Sequence, residues 1–87
     1  MPYTVIIGRT AQRSIGALQQ DMRRRIEAAI DALATTPRPP TGQPLAGQQD
    51  VWRLRVGDYR IIYEIDVSAA TVVVTRVAHR REAYRGL

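Results

Sequence analysis

The sequence contains no cysteine, and this absence excludes a disulfide framework, a thiolate zinc site and a cysteine nucleophile. Lysine is also missing, so all 13 basic residues are arginines. No apolar run approaches the roughly 18 residues that a membrane-spanning helix requires. We therefore predict a soluble, cytoplasmic protein without a membrane partner.

The motifs of common cofactor-dependent enzymes are absent as well. There is no P-loop, no glycine-rich dinucleotide turn and no GxSxG nucleophile elbow. The single histidine, without a glutamate partner, is too little for a metal site. The sequence thus predicts neither a cofactor nor a bound metal.

Positive charge is in excess, with 13 basic residues against 8 acidic ones and a net charge of +5. Because the planar guanidinium group binds phosphate with two parallel hydrogen bonds, RNA or DNA is the predicted partner. The codon bias of a GC-rich genome explains the choice of arginine over lysine as readily as a nucleic-acid partner does. It does not explain why positive charge exceeds negative charge.

The N-terminal half predicts one strand followed by a helical hairpin. Beta-branched residues at 3–7 indicate the strand. Apolar residues at helical spacing indicate helices over residues 11–20 and about 22–35, with Thr10 and Asp21 as their N-caps. A chain of 87 residues buries only roughly 60% of its unfolded surface, which predicts a single domain with one core.

The C-terminal half changes to the two-residue period of strands. Residues 51–56, 59–65 and 71–78 predict a three-stranded antiparallel meander, which a basic tail over residues 79–87 follows. Residues 36–50 are rich in proline and predict a long loop that forms the rim of a substrate or partner site. The predicted fold is α+β, with the helical hairpin packed on one face of the sheet.

Gly57 and Asp58 predict a tight turn between the first two strands of the meander. That turn fixes which side chains share a face. On the apolar face Val56 pairs with Tyr59, Leu54 with Ile61 and Trp52 with Tyr63; on the other face Arg55 pairs with Arg60, Arg53 with Ile62 and Val51 with Glu64.

Three arginines therefore share one face of the predicted hairpin. Like charges directly opposite each other are destabilising, so the pair formed by Arg55 and Arg60 is favourable only with an anion between them. The register predicts an anion-binding face. The alternative is that Arg53 and Arg55 extend into water, with Asp58 and Glu64 as their ionic partners.

The tail adds His79, Arg80, Arg81, Tyr84 and Arg85 directly after the last strand. These side chains come close to the arginine face if the tail folds over the sheet. A neutral imidazole at His79 is able to accept a proton, although a lone histidine is more often a surface residue. Tyr84 is suited to stacking on a base or to proton transfer; its alternative role is packing.

Residues 52–65 and 77–85 resemble the signature of the RelE/ParE toxin superfamily. The motif R-x-G-D-Y-R-x-x-Y is followed by H-R-R-E-x-Y, and the opening strand, helical hairpin and proline-containing loop occur in the same order. The resemblance implies an antiparallel sheet packed on a helical hairpin. It also implies a type II toxin-antitoxin system, in which a cognate antitoxin binds the toxin in a hetero-oligomer and recruits it to operator DNA.

The RelE branch of this superfamily cleaves messenger RNA in the ribosomal A site, which makes the ribosome and mRNA the implied partners. By position, Arg53, Arg60, Arg80 and Tyr84 match residues of that site, and Arg55 matches a position that is commonly basic. The better-studied members carry lysines on the first of these strands. Here every such position is arginine, which keeps its proton at any working pH.

The resemblance implies attack of a ribose 2′-OH on the adjacent phosphorus. Arg60 and Arg80 are expected to stabilise charge on the phosphoryl oxygens, Tyr84 to orient the substrate and His79 to act as the base. The expected RNA-binding residues are Arg53, Arg55, Arg81 and Arg85.

Two other functions remain open at this point. ParE-like members share the fold and inhibit DNA gyrase as protein-binding poisons without nuclease action. The second of these alternatives is a member that acts only with its antitoxin, as a corepressor at the operator.

Overall fold

The computed structural model describes residues 2–85, so Met1 and the last two residues of the predicted tail lie outside the described part of the chain. The elements, in chain order, are β1 (Thr4–Ile7), α1 (Arg9–Gly16), α2 (Gln20–Ala32), β2 (Gly42–Pro44), β3 (Val51–Val56), β4 (Tyr59–Asp66) and β5 (Thr71–His79). Within residues 2–85, neither helix has the length and apolar content of a membrane-spanning segment.

The strands form one five-stranded sheet in the order β1-β5-β4-β3-β2. β1 runs parallel to β5, whereas the other neighbouring pairs are antiparallel. The predicted α+β fold and the β3–β4–β5 meander are confirmed. The sheet is wider than the predicted meander, because β1 extends it at one edge and β2 at the other.

Both helices pack on the same face of the sheet. Their buried side chains join those of the strands in one apolar cluster. Its buried members are Ala11, Ile15, Ile26, Ile30, Leu33, Leu54, Ile61, Tyr63, Ile65, Val72, Val74 and Val77. The opposite face of the sheet is therefore left to the arginines and the tail.

Both predicted N-caps are wrong. The N-cap of α1 is Gly8 and that of α2 is Gln19, so Thr10 and Asp21 lie inside the first turns of their helices. The N–H of Gly8 donates to the carbonyl oxygen of Val74 at 2.8 Å, which ties the chain to the sheet where β1 ends. The helix therefore begins as soon as the strand ends, at Arg9, one residue before Thr10.

The arginines at the start of α2 have different environments. Arg23 donates from Nη2 to the carbonyl oxygens of Gly16 at 3.3 Å and Leu18 at 3.1 Å, so it caps the C-terminal end of α1. Arg24 and Arg25 are exposed.

The predicted loop over residues 36–50 contains the short edge strand β2, which the sequence did not indicate. Proline is confined to edge strands because it lacks an N–H group for the ladder, and Pro44 lies at such an edge. The hydroxyl of Tyr63 donates to the carbonyl oxygen of Pro37 at 2.8 Å. The loop is thus anchored to the middle of the sheet.

All six predicted residue pairs of the β3–β4 hairpin are present. Gly57 has a φ of 58°, which suits the first position of the predicted turn. Arg55 therefore lies directly opposite Arg60. The arginines of this hairpin lie on the face that the helices leave uncovered.

The pairing of β4 with β5 contains a bulge that the sequence pattern did not reveal. Ile62 pairs with Arg76 and Tyr63 pairs with Val74, so Thr75 is an extra residue on β5. Strict alternation would place Arg76 on the core face with Val74. The extra residue instead directs Arg76 to the face of Ile62.

The hydroxyl of Tyr63 gives the first prediction. Burial raises its pKa to about 12, so the neutral phenol is favoured in the folded state and its stabilising contribution is lost as pH rises from about 10 to about 12. Tyr63→Phe should lower the free energy of unfolding at neutral pH by about 1 kcal/mol, because the hydrogen bond to Pro37 is removed. It should also flatten the alkaline loss of stability in denaturant titrations.

Tyr3→Phe is the control, since the hydroxyl of Tyr3 makes no hydrogen bond to residues 2–85. If Tyr63→Phe and Tyr3→Phe lower the free energy of unfolding equally, the hydrogen bond from Tyr63 to Pro37 does not stabilise the fold.

Candidate nucleic-acid interface

A groove of about 280 Å³ lies on the sheet face opposite the helices. Its lining residues are Pro40, Thr41, Gln43, Arg53, Arg55 and Arg60. The first three come from the segment over residues 36–50 and form one wall, as the sequence predicted for a site rim. We call this cavity the arginine groove.

The charge of the arginine groove is not neutralised by the acidic residues that the sequence offered as partners. Within residues 2–85 the only ion pair joins Arg38 to Asp50, at 3.9 Å. Asp58 and Glu64 therefore form no ion pair with the arginines of the groove. The carboxylates of the alternative therefore do not balance the charge, whereas Arg55 is exposed, as that alternative expects.

Arg60 is held in place by backbone oxygens of its own hairpin. Its Nη1 donates to the carbonyl oxygens of Tyr59 at 3.0 Å and Gly57 at 3.3 Å. Arg55, directly opposite, is exposed and has no such anchor. One guanidinium group of the pair is thus fixed by the turn, and the other is free to adjust to a ligand.

Arg53 connects the groove to the tail. Its Nη1 donates to the hydroxyl of Tyr84 at 3.1 Å, and its Nη2 donates to the side-chain oxygen of Gln43. The guanidinium carbon of Arg53 lies 5.7 Å from the centre of the Tyr84 ring, a cation–π contact. The predicted approach of Tyr84 to the arginine face is confirmed.

The tail forms a turn directly after β5. The N–H of Arg80 donates to the carbonyl oxygen of Asp58 at 2.7 Å, which extends the β4–β5 pairing by one bond. Alternation beyond Ala78, which pairs with Arg60, then directs Arg80 to the arginine side of the sheet. Arg80, Arg81 and Arg85 are exposed and do not line the groove itself.

His79 lies on the other side of the sheet. It pairs with Tyr59, which packs against the helix-covered core, and the two rings meet edge to face at 5.7 Å between centroids. Its Nδ1 accepts a hydrogen bond from the N–H of Arg81 at 3.3 Å. Strand alternation thus separates His79 from the arginine groove, and the geometry gives no support to its expected role as the base.

The sequence did not single out Arg76, which shares the face of the groove. It donates from Nη1 to the carbonyl oxygens of Ala83 at 3.0 Å and Arg85 at 2.5 Å. Only the bulge at Thr75 places it there, and no pattern in the sequence revealed that bulge. Gln43, the partner of Arg53, was missed because β2 was predicted to be loop.

Metal-ligating side chains are not clustered in the described part of the chain, which holds no group of three or more His, Cys, Asp or Glu residues close enough to share an ion. The chemistry that the groove offers is that of fixed cations and one phenol.

Comparison with known proteins identifies the chain. Residues 5–84 match the family of ParE toxins of type II toxin-antitoxin systems. This chain belongs to that family. The predicted membership of the RelE/ParE superfamily is thereby confirmed, and the protein is a toxin of a type II toxin-antitoxin system.

Individual members resemble this toxin over nearly its whole length. Toxin RelG of Mycobacterium tuberculosis is 37% identical over 87 residues, which cover 98% of this chain and 99% of that protein. The archaeal RelE–RelB complex of Pyrococcus horikoshii contains a chain with a TM-score of 0.83 and 27% identity, matched over 95% of this toxin and 100% of that chain.

A chain of the toxin-antitoxin complex RelBE2 of Mycobacterium tuberculosis matches 92% of this toxin over 100% of its own length. Its TM-score is 0.64 and its identity to this toxin is 37%.

The opposed arginines of the toxin give the second prediction. Arg55→Gln should raise the free energy of unfolding by about 0.3 kcal/mol at low salt, because the repulsion between Arg55 and Arg60 is removed. The gain should shrink at high salt, where exposed charges are screened. Denaturant unfolding at two salt concentrations measures both effects.

Arg13→Gln is the matched control, because Arg13 lies in the last turn of α1, where a positive charge is favourable. It should not stabilise the toxin. If Arg55→Gln also fails to stabilise it, Arg55 and Arg60 do not repel each other significantly.

Proposed function

We propose that this toxin is a ribosome-dependent endoribonuclease that cleaves messenger RNA in the ribosomal A site and so inhibits translation. The observation that carries the proposal is the directly opposed pair of Arg55 and Arg60 without an ion pair, in a groove bordered by the Tyr84–Arg53 contact. A phosphodiester bound between Arg55 and Arg60 would carry a negative charge and so offset their mutual repulsion.

The proposed reaction is a transesterification within the RNA. The ribose 2′ oxygen bonds to the adjacent phosphorus and loses its proton, while the bond from phosphorus to the 5′ oxygen breaks and that oxygen gains a proton. The products are a cyclic phosphate and a 5′-OH end. Charge builds up on the phosphoryl oxygens during this step, where fixed cations are most effective.

Arg60 is suited to that role because the backbone of its turn already orients it. Arg80, directed to the same side of the sheet, is proposed as the second stabilising cation. The hydroxyl of Tyr84 accepts a hydrogen bond from Arg53, so its own proton remains available to a substrate oxygen. Tyr84 thus orients the RNA.

RNA binding is proposed for Arg53, Arg55, Arg81 and Arg85, of which the last three are exposed. Arginine does not give up its proton at neutral pH, and His79 faces the other way, so neither supplies the base in this geometry. We propose that the ribosome completes the site, which explains why cleavage needs it. Action on translating ribosomes implies a cytoplasmic protein.

A cognate antitoxin is the proposed protein partner, because related toxins are described in complexes with RelB-type antitoxins. An acidic or amphipathic segment is expected to cover the arginine face and neutralise it. Contact with operator DNA is expected through the antitoxin only, in a toxin-antitoxin hetero-oligomer.

The alternative function is inhibition of DNA gyrase without nuclease activity, and the match to the ParE family favours it. In that case the arginine face binds a protein surface. In that case no phosphodiester is cleaved, and the arginines act by electrostatic complementarity alone.

The third prediction tests the nuclease. Arg60→Ala and Arg80→Ala should each lower the rate of messenger cleavage by about 100-fold, because each removes a cation from the phosphoryl oxygens. Primer extension on a reporter messenger from a cell-free translation reaction maps the new ends. These ends should fall in register with codons.

Arg9→Ala is the control, since Arg9 is an exposed arginine at the start of α1, outside the groove. Undiminished cleavage by Arg60→Ala and Arg80→Ala would contradict the assigned roles. An intact messenger at doses that arrest cells, together with loss of gyrase supercoiling, would favour the gyrase poison.

A further inference from the structure

The buried side chain of Ile62 lies on the face of the sheet that the helices do not cover. It is only 1% exposed, yet it is outside the apolar cluster formed with the helices. In register, Arg53 of β3 pairs with it on one side and Arg76 of β5 on the other. The two arginines are thus about 10 Å apart across three strands, with Ile62 between them.

The tail turn covers this position. Ala83 is fully buried and, like Ile62, lies outside the main cluster. Arg53 holds the tail through the hydroxyl of Tyr84 at 3.1 Å, and Arg76 holds it through the carbonyl oxygen of Ala83 at 3.0 Å. Two arginines therefore clamp the tail over Ile62 from opposite sides.

The two arginines hold different parts of the tail. Arg53 contacts a side chain whose position depends on the backbone of the turn. Arg76 binds that backbone directly, at Ala83 and at Arg85, on either side of Tyr84. The geometry of the Tyr84–Arg53 contact at the groove thus depends on Arg76.

The bulge makes this arrangement possible. The hydroxyl of Thr75 donates to the carbonyl oxygen of Ile62 at 3.2 Å, which secures the extra residue. Without that residue, alternation would send the side chain of Arg76 toward the helices, and the tail would lose its backbone anchor.

We propose that Arg76 is a positioning residue of this toxin: it holds the tail turn so that Tyr84 meets Arg53 at the arginine groove. Arg76 acts through Tyr84 and does not touch the RNA. The consequence for cleavage rests on the proposed nuclease function, whereas the consequence for the tail does not.

The first experiment measures the tail alone. Arg76→Met keeps an apolar stem and removes the donors, so the amides of the tail turn at Glu82, Ala83 and Arg85 should exchange with solvent about tenfold faster or more. Amides in the centre of β4 should keep their protection, which shows that the fold is intact.

Arg76→Lys is the rescue variant. Both hydrogen bonds of Arg76 leave from the same nitrogen, and an ammonium group carries three donors, so lysine should restore most of the protection. Unchanged tail exchange in Arg76→Met would overturn the proposal, whatever the toxin does to RNA.

The second experiment is a double-mutant cycle on programmed ribosomes. Arg76→Met should lower the single-turnover cleavage rate about tenfold and leave the half-saturating ribosome concentration unchanged. Combined with Tyr84→Ala, it should lower the rate no further than Tyr84→Ala alone, because a misplaced tail has no effect once its tyrosine is gone.

Losses that multiply in the double variant would overturn the proposal, since they would show that Arg76 acts independently of Tyr84. Absence of cleavage by the unaltered toxin would contradict the proposed nuclease instead. The exchange experiment would then still decide whether Arg76 positions the tail.

Discussion

The direct opposition of Arg55 and Arg60 is the constraint on which the rest of the site depends. It follows from the turn at Gly57, because a slip of one residue between β3 and β4 would put Arg55 and Arg60 on opposite faces of the sheet. Like charges held in this way store a repulsion that an anion relieves. The opposed pair is thus expected to cost the free toxin a little stability, which a bound anion would restore.

A second constraint is the bulge on β5, the strand that leads into the tail. It lets Val72, Val74 and Val77 all join the core while Arg76 faces the tail. The tail then brings Tyr84 to Arg53, whereas His79 remains on the helix-covered side, against Tyr59. One extra residue in a strand therefore decides which side chains next to the tail share the face of the groove.

Much of this was predictable from the sequence because local signals agreed with the global fold. The turn at Gly57 and the alternation on either side of it fixed the register of β3 and β4, and with it the arginine face. The edge strand β2 was hidden by its glycine and proline. The orientations of Arg76 and His79 were not predictable, because each depends on the pairing of β5 with β4, including an unpaired Thr75 that leaves no mark in the pattern.

The most direct test of anion binding in the arginine groove is an NMR titration of the arginine Nε–H signals with a short RNA that carries a 2′-deoxy substitution at the scissile nucleotide, so that it binds without being cleaved. The account predicts that the signals of Arg53, Arg55 and Arg60 shift together and saturate, while those of Arg9 and Arg13 on α1 remain in place. Equal small shifts of all the arginines, or shifts confined to the helices, would contradict it.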